Sequence, residues 1–189
     1  PLDRISADKP LAADVEPLEI QVVSLDWKWL FVYPEYGVAS IHEMAAPAGR
    51  PIRFRLTSSS TMNAFYVPAL AGMIYTMPAM ETQLNAVMNQ EGQYEGFSSH
   101  YSGAGFSHMR FQFHGLSDAG FAAWIATARS QTSAQTRAHY LELEVPSSRE
   151  PARLFGSVDA GLFDAVVNRC VDTDRLCMGQ MMTYDAMGG

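Results

Sequence analysis

The chain has 189 residues, 48% of them apolar, and a formal charge of −7. That length and composition suit one domain with an appendage and a core of real size, while an acidic balance with 13 basic residues excludes a nucleic-acid-binding face, which needs clustered cations. No run of about 18 strongly apolar residues is present, so no spanning helix is expected, and with neither Met nor an apolar segment at the start there is no visible signal peptide.

Residues 1–17 are polar and punctuated by Pro10 and Pro17, the pattern of an extended lead-in. Leu18, Ile20 and Val22 alternate with Glu19 and Gln21, predicting a half-buried strand. Asp26 to Tyr33 is aromatic and β-prone. Read as one strand, it sets Trp27, Trp29 and Phe31 on one face and Lys28 on the other. Those aromatics either pack in the core or form a platform facing a partner. Pro34 and Gly37 end the strand, and Val38 to Met44 is expected as the next one, before a turn over Pro47 to Pro51. Ile52, Phe54 and Leu56 alternate cleanly with Arg53 and Arg55. Ser58 to Thr61 is a loop and Asn63 to Pro68 a short apolar segment. Ala69 to Ala79 is a Gly/Pro/Met-rich loop within Leu56–Met80, a stretch without charge. Thr82 to Met88 is a strand, Asn89 to Gly92 a turn, and another strand starts by Tyr94. Met109, Phe111 and Phe113 against Arg110, Gln112 and His114 give the last strand. Roughly eight short strands over 18–115 predict a mainly β protein, a sandwich or barrel.

After Gly115 the period lengthens to 3.6. Ser117 is a plausible N-cap with Asp118 in the first turn, and Phe121, Trp124, Ile125 and Ala128 form an apolar stripe. A second helix is expected over about 135–144 and a linker from Pro146 to Pro151. A third helix carries Leu162, Phe163, Val166, Val167 and Cys170 on one side. The expected division is therefore a lead-in (1–17), a β-sandwich (18–115), a helical extension (116–175) and a mobile tail (176–189) with four methionines. Cys170 and Cys177 match no zinc pattern. On one continuous helix they would be about 10 Å apart, too far for a disulfide, so a bridge requires a turn between them, and both states stay open.

The stretch from Gly96 to Met109 is small, polar and free of Asp, Glu, Lys and Arg. It has the layout of a loop holding a site at the end of a sheet. His100, His108, Met109 and His114 are its potential ligands. A blue-copper site needs two His, a Cys and a weak axial Met, and residues 18–115 contain no Cys, so no copper thiolate site can form there. Zinc on His100, His108 and Glu95 matches no recognised spacing. His108 and His114 are expected to face solvent. No catalytic triad, phosphate-cradling loop or acid pair stands out, and Gly103 and Gly105 lack the strand-to-helix context of a dinucleotide loop.

Ser24-Leu25-Asp26-Trp27-Lys28-Trp29, Asn63-Ala64-Phe65-Tyr66-Val67-Pro68, Ile74-Tyr75, Met80-Glu81-Thr82 and the loop from Ser98 to Met109 resemble, in that order, subunit II of the haem–copper oxidases. The likeness is greatest to the periplasmic part of subunit II in the cytochrome bo-type ubiquinol oxidases, and it covers about residues 9–170. It implies a cupredoxin-like Greek-key β-sandwich with a C-terminal helical extension. In the cytochrome c oxidases of this family the sandwich carries the binuclear copper A centre, held by a His and by a loop of the form C-x-E-x-C-x3-H-x2-M. Laid on this chain, the first His falls on Asn63, the two Cys on Ser98 and Ser102, the Glu on His100 and the loop His on Phe106; only Met109 matches. Serine hydroxyls are poor copper ligands. The resemblance therefore implies the quinol-oxidising branch, in which no soluble cytochrome needs a copper port.

The resemblance also implies a domain without catalytic, cofactor or metal residues of its own. It would sit on the periplasmic side of a bacterial inner membrane, attached through membrane helices expected upstream. It would be part of a complex that oxidises ubiquinol, reduces O2 to water and moves protons, with haem and copper in subunit I. Trp27, Trp29, Phe31, Ile74 and Tyr75, within the runs Trp27–Tyr33 and Ala69–Met80, are the candidate contacts with subunit I and the other oxidase subunits. The competing readings are a copper A-type electron carrier, copper handling by the Met-rich tail with His or Cys170 and Cys177, and an independent ligand-binding β-sandwich.

Overall fold

A computed structural model describes residues 2–5, 16–69, 73–172 and 176–178; most of the expected lead-in and tail lie outside them. In chain order the elements are β1 (Leu2–Ile5), β2 (Leu18–Leu25), β3 (Lys28–Tyr33), β4 (Val38–Ile41), β5 (Glu43–Pro47), β6 (Pro51–Ser58), β7 (Asn63–Tyr66), β8 (Ile74–Thr76), β9 (Thr82–Met88), β10 (Gly92–Ser98) and β11 (Arg110–Leu116). After these come α1 (Asp118–Arg129), β12 (Ala134–Gln135), α2 (Arg137–Leu143), β13 (Arg153–Phe155), β14 (Ser157–Val158) and α3 (Leu162–Val167).

One sheet runs β1-β9-β6-β2-β3-β4-β13 and faces a second, β5-β11-β10-β7-β8. Each holds one parallel pair, β2 with β6 and β5 with β11, among antiparallel neighbours. The alternating residues Leu18, Ile20 and Val22 of β2 and Ile52, Phe54 and Leu56 of β6 point between the sheets and meet Phe65, Phe111 and Phe113 from the other side. This is the expected mainly β, cupredoxin-like sandwich. Tyr33 ties the two layers: its hydroxyl donates to the Ala45 carbonyl (2.7 Å) and accepts from the Ala45 N–H (2.9 Å). Its full burial pushes the phenol pKa well above the usual range.

Three expectations change. Val38–Met44 is not one strand. His42 has φ 59°, and this left-handed step turns the chain through a corner, so that β4 stays in the large sheet while β5 crosses to the small one. The run from Asp26 to Tyr33 is not one strand either: Leu25 pairs with Lys28, so Asp26 and Trp27 form a two-residue hairpin turn. The extension is not purely helical, because β13 adds to β4 at the sheet edge and β12 pairs with β14.

The extension also covers the outer face of the large sheet. Val23, Leu25, Leu30, Val32, Ala39 and Ile41 pack there against Tyr140, Leu143, Phe155, Leu162, Phe163 and Val166, a second core. Hence β3 is buried along its whole length, and Lys28, on the face opposite Trp29 and Phe31, is 1% exposed. Arg55 pins the same joint, with Nη2 2.7 Å from Glu81 Oε1 and 3.3 Å from Asp164 Oδ1, and its guanidinium over the Phe163 ring.

Ser117 caps α1 by accepting from Gly120 N–H, and Phe121, Ile125 and Ala128 are buried beneath it, as the stripe predicts. The second helix starts at 137 because Thr136 is its cap, accepting from His139 N–H. The third ends at Val167, so Cys170 lies beyond it. The chain then turns, and Cys170 and Cys177 form a disulfide with Cα atoms 4.7 Å apart, held alongside by the Met178 N–H bond to the Asn168 carbonyl (3.0 Å).

Candidate functional site

The Gly-rich loop joins β10 to β11 at one end of the sandwich. β7 pairs with β10 through Ser98↔Phe65, which brings Asn63 and Ser98 together although 35 residues separate them. Both are buried. Ser98 Oγ lies 3.1 Å from Asn63 Oδ1 and 3.1 Å from the His100 carbonyl, and accepts from the Ala64 N–H (3.3 Å). Asn63 Nδ2 donates to the Thr61 carbonyl (3.4 Å). The polar atoms at these two positions are thus spent on holding the loop.

The remaining loop positions close inward. Met109 is fully buried, and its carbonyl accepts from Trp29 Nε1 (3.1 Å). Beneath it Trp29, Phe65 and Phe111 form an aromatic cluster, with Phe65 stacked on Phe111 at 5.3 Å. Phe106, half-buried in a 3-10 turn, packs against Tyr101 at 5.6 Å. Ser102 Oγ is buried with no hydrogen-bond partner among the described residues, while its carbonyl accepts from Trp27 Nε1 (3.1 Å). The Trp27 indole lies flat against the two glycines. A Cβ on Gly105 would fall 2.4 Å from Trp27 Cδ2, and one on Gly103 3.0 Å from its Cζ2, so only Gly permits this closure.

A copper A centre does not fit these residues. It needs two bridging thiolates, and the chain's two cysteines are bonded to each other, with Cys170 in the second core. Serine hydroxyls do not replace them. Among the described residues no three His, Cys, Asp or Glu side chains gather as a metal-binding group. His100 stands edge-on to Tyr75 at 6.2 Å. His108 is exposed and accepts from Arg149 Nε (3.3 Å). His114, half-buried, lies 3.9 Å from Glu43 Oε1.

Of the five candidate contact residues, Trp29 and Phe31 are 0% exposed. They pack in the core and offer no surface, the first of the two readings of that aromatic run. Trp27 and Ile74 are half-buried at the loop end, and Tyr75 is 46% exposed. The Ala69–Met80 run named from the sequence already holds Met73 and Met80, while Met62 and Tyr101 lie outside the named runs. Among the described residues, Met62, Met73, Met80 and Tyr101, the last 71% exposed, are further large apolar side chains open to solvent on the loops at this end. The signal for Met62 was available, since it lies in the charge-free Leu56–Met80 stretch beside the Ser58–Thr61 loop.

A family model described as "Cytochrome C oxidase subunit II, periplasmic domain" matches residues 37–115, and a second, "COX Aromatic Rich Motif", matches 129–174. The chain belongs to the cytochrome oxidase subunit II family. The first match is the periplasmic domain, so this part of subunit II lies on the periplasmic side of its membrane. The second is the extension that builds the outer core. Similar proteins of this family include "Cytochrome bo(3) ubiquinol oxidase subunit 2" of Pseudomonas aeruginosa, 43% identical over 161 residues, 85% of this chain and 49% of that one. "Ubiquinol oxidase subunit 2" of Acetobacter aceti is 42% identical, covering 84% and 52%. The chain spans about half the length of these curated relatives. The crystal structure of the periplasmic domain of subunit II of cytochrome oxidase from Bradyrhizobium japonicum shares the fold, with a TM-score of 0.56 at 24% identity, over 62% of this chain and 94% of that one. No described helix is long and apolar enough to cross a membrane.

Proposed function

We propose that this chain is the periplasmic domain of subunit II of a proton-pumping ubiquinol oxidase, and that its part in the complex is to dock, not to carry electrons. Relatives over 40% identical along most of the chain are named as ubiquinol oxidase subunits. The observation that carries the non-redox reading is the Ser98–Asn63 contact at the position where copper A thiolate and imidazole would meet. Electrons would pass from ubiquinol to haem and copper in subunit I, where O2 is reduced to water. On this reading Asn63, Ser98, His100, Ser102, Phe106 and Met109 are the remains of a copper loop, kept for their shape.

The loop end is the docking face. Trp27 closes it, and Ile74, Tyr75 and the exposed methionines around it supply apolar surface of the kind that marks protein contacts. The partner is subunit I. The test is detergent-extracted full oxidase carrying Tyr75→Ser with Met73→Ser. Loss of subunit II from the complex on native gels is expected, with the domain still folded. Retention of a fully stable, active complex would overturn the docking assignment.

A further inference from the structure

The joint between sandwich and extension holds buried titratable groups that the loop end does not use. Lys28 Nζ donates to the Val145 carbonyl (2.8 Å) and to Ser147 Oγ (2.7 Å), and Ser147 Oγ donates on to Glu150 Oε1 (2.9 Å). Ser147 N–H donates to the Asp26 carbonyl (3.1 Å), and Trp27 N–H to the Ser147 carbonyl (3.3 Å). The segment 145–150, between α2 and β13, is therefore a strap held down by one cation-centred chain of bonds. At its far side Arg149, at φ 61°, donates to His108 Nε2 of the loop (3.3 Å).

His42 stands at the corner between β4 and β5, 7% exposed. Its Nδ1 lies 2.9 Å from the Arg110 carbonyl. A carbonyl only accepts, so Nδ1 carries the proton and Nε2 is a bare lone pair, which is buried with no hydrogen-bond partner among the described residues. Lys28 of β3 and Glu150 of the strap are the charged groups that act on it. Asp26 and Arg153 act on Lys28 in turn. The other charges on neighbouring strands are engaged elsewhere: Arg110 with Glu95 (2.7 Å), and Glu43 with Trp124 Nε1 (3.0 Å).

We propose that His42 is an acid-sensitive latch for the strap: a proton on Nε2 sets a second cation beside Lys28 and draws Glu150 away from Ser147, so that residues 145–150 lift from the sandwich. No covalent step is involved.

Burial holds the His42 imidazole below its ordinary pKa. The Arg110 carbonyl and Glu150 oppose this, and Lys28 adds to it. The folded value is depressed, so the neutral ring is the form the fold favours. Its contribution is complete above the ordinary histidine value of about 6.5 and is lost as pH falls below it. His108 Nε2 accepts from Arg149 Nε on the far side of the strap; the test must separate the two histidines.

Hydrogen exchange of the Ser147 and Trp27 amides, corrected for the intrinsic pH dependence, is measured at pH 7.5 and 5.5 on this chain and on His42→Asn, His42→Gln and His108→Gln. Asn keeps the left-handed backbone at this corner. In the unsubstituted chain and in His108→Gln, protection of both amides is expected to be lower at pH 5.5 than at pH 7.5. In the His42 variants it stays level. An equal loss in His42→Asn, or no loss in the unsubstituted chain, overturns the latch. Should both His42 variants fail to fold, ring-proton NMR of His42 in the unsubstituted chain decides: ring titration and strap opening share one midpoint if the latch is right, and different midpoints overturn it.

Discussion

Ser98 Oγ sits 3.1 Å from Asn63 Oδ1, across two neighbouring strands at the end of the sandwich. In the copper-bearing members of the resemblance these two positions belong to a thiolate and an imidazole. A hydroxyl and an amide hold the same strand ends together by hydrogen bonding, so the loop keeps a closed shape without a metal.

If the backbone has kept the path of a copper loop, the ligands can be returned to it. The variant Asn63→His, Ser98→Cys, His100→Glu, Ser102→Cys, Phe106→His is expected to give a coloured protein with intense thiolate-to-copper absorption when copper is added. A folded but colourless variant would mean that the loop has drifted from that geometry.

Trp27 and Gly105 are interlocked. A Cβ at 105 would meet Trp27 Cδ2 at 2.4 Å, so Gly105→Ala must expel the indole from the loop. Overpacking of this kind costs about 1–3 kcal/mol. The checks are a lowered urea midpoint and red-shifted tryptophan emission; unchanged emission would place Trp27 elsewhere.

These two relationships differ in how legible they were. The resemblance placed Asn63 and Ser98 on ligand positions, and their contact is set once β7 pairs with β10. Alternation found β6 and the cap and stripe found α1, because those signals are local. The expected place of Trp27 on one strand face with Trp29 and Phe31 does not hold, because a two-residue turn interrupts the period just before Lys28. The burial of Lys28 was invisible for another reason: alternation along β3 reports which residues share a face, not what covers it. Only the extension, more than 100 residues later, closes that face. The corner at His42 likewise depends on one left-handed residue, which no residue type forces there.

Lys28→Met keeps the stem and removes the cation. The Val145 carbonyl and Ser147 hydroxyl then lose their shared donor, a loss of about 1–3 kcal/mol read in the urea midpoint. Faster exchange at the Ser147 amide should accompany it, because the strap is the part released. Equal stability with an unchanged strap would show that Lys28 does not hold it.

The Cys170–Cys177 bridge closes a short loop, for which the chain-entropy relation gives about 2–3 kcal/mol. Cys170→Ser with Cys177→Ser should lower stability by that order and open the Met178 amide to exchange, with the sandwich amides of β6 unaffected until global unfolding. Loss of protection throughout β6 at the same rate would show that extension and sandwich unfold as one unit.

The central claim is that the loop end docks and carries no electrons. It is tested most directly by adding copper to the purified domain and recording its visible spectrum. The account predicts no intense thiolate-to-copper bands and no purple or blue colour, because Ser98, Ser102, Asn63 and Phe106 stand at the ligand positions. An intense band appearing at one equivalent of copper or two would contradict it.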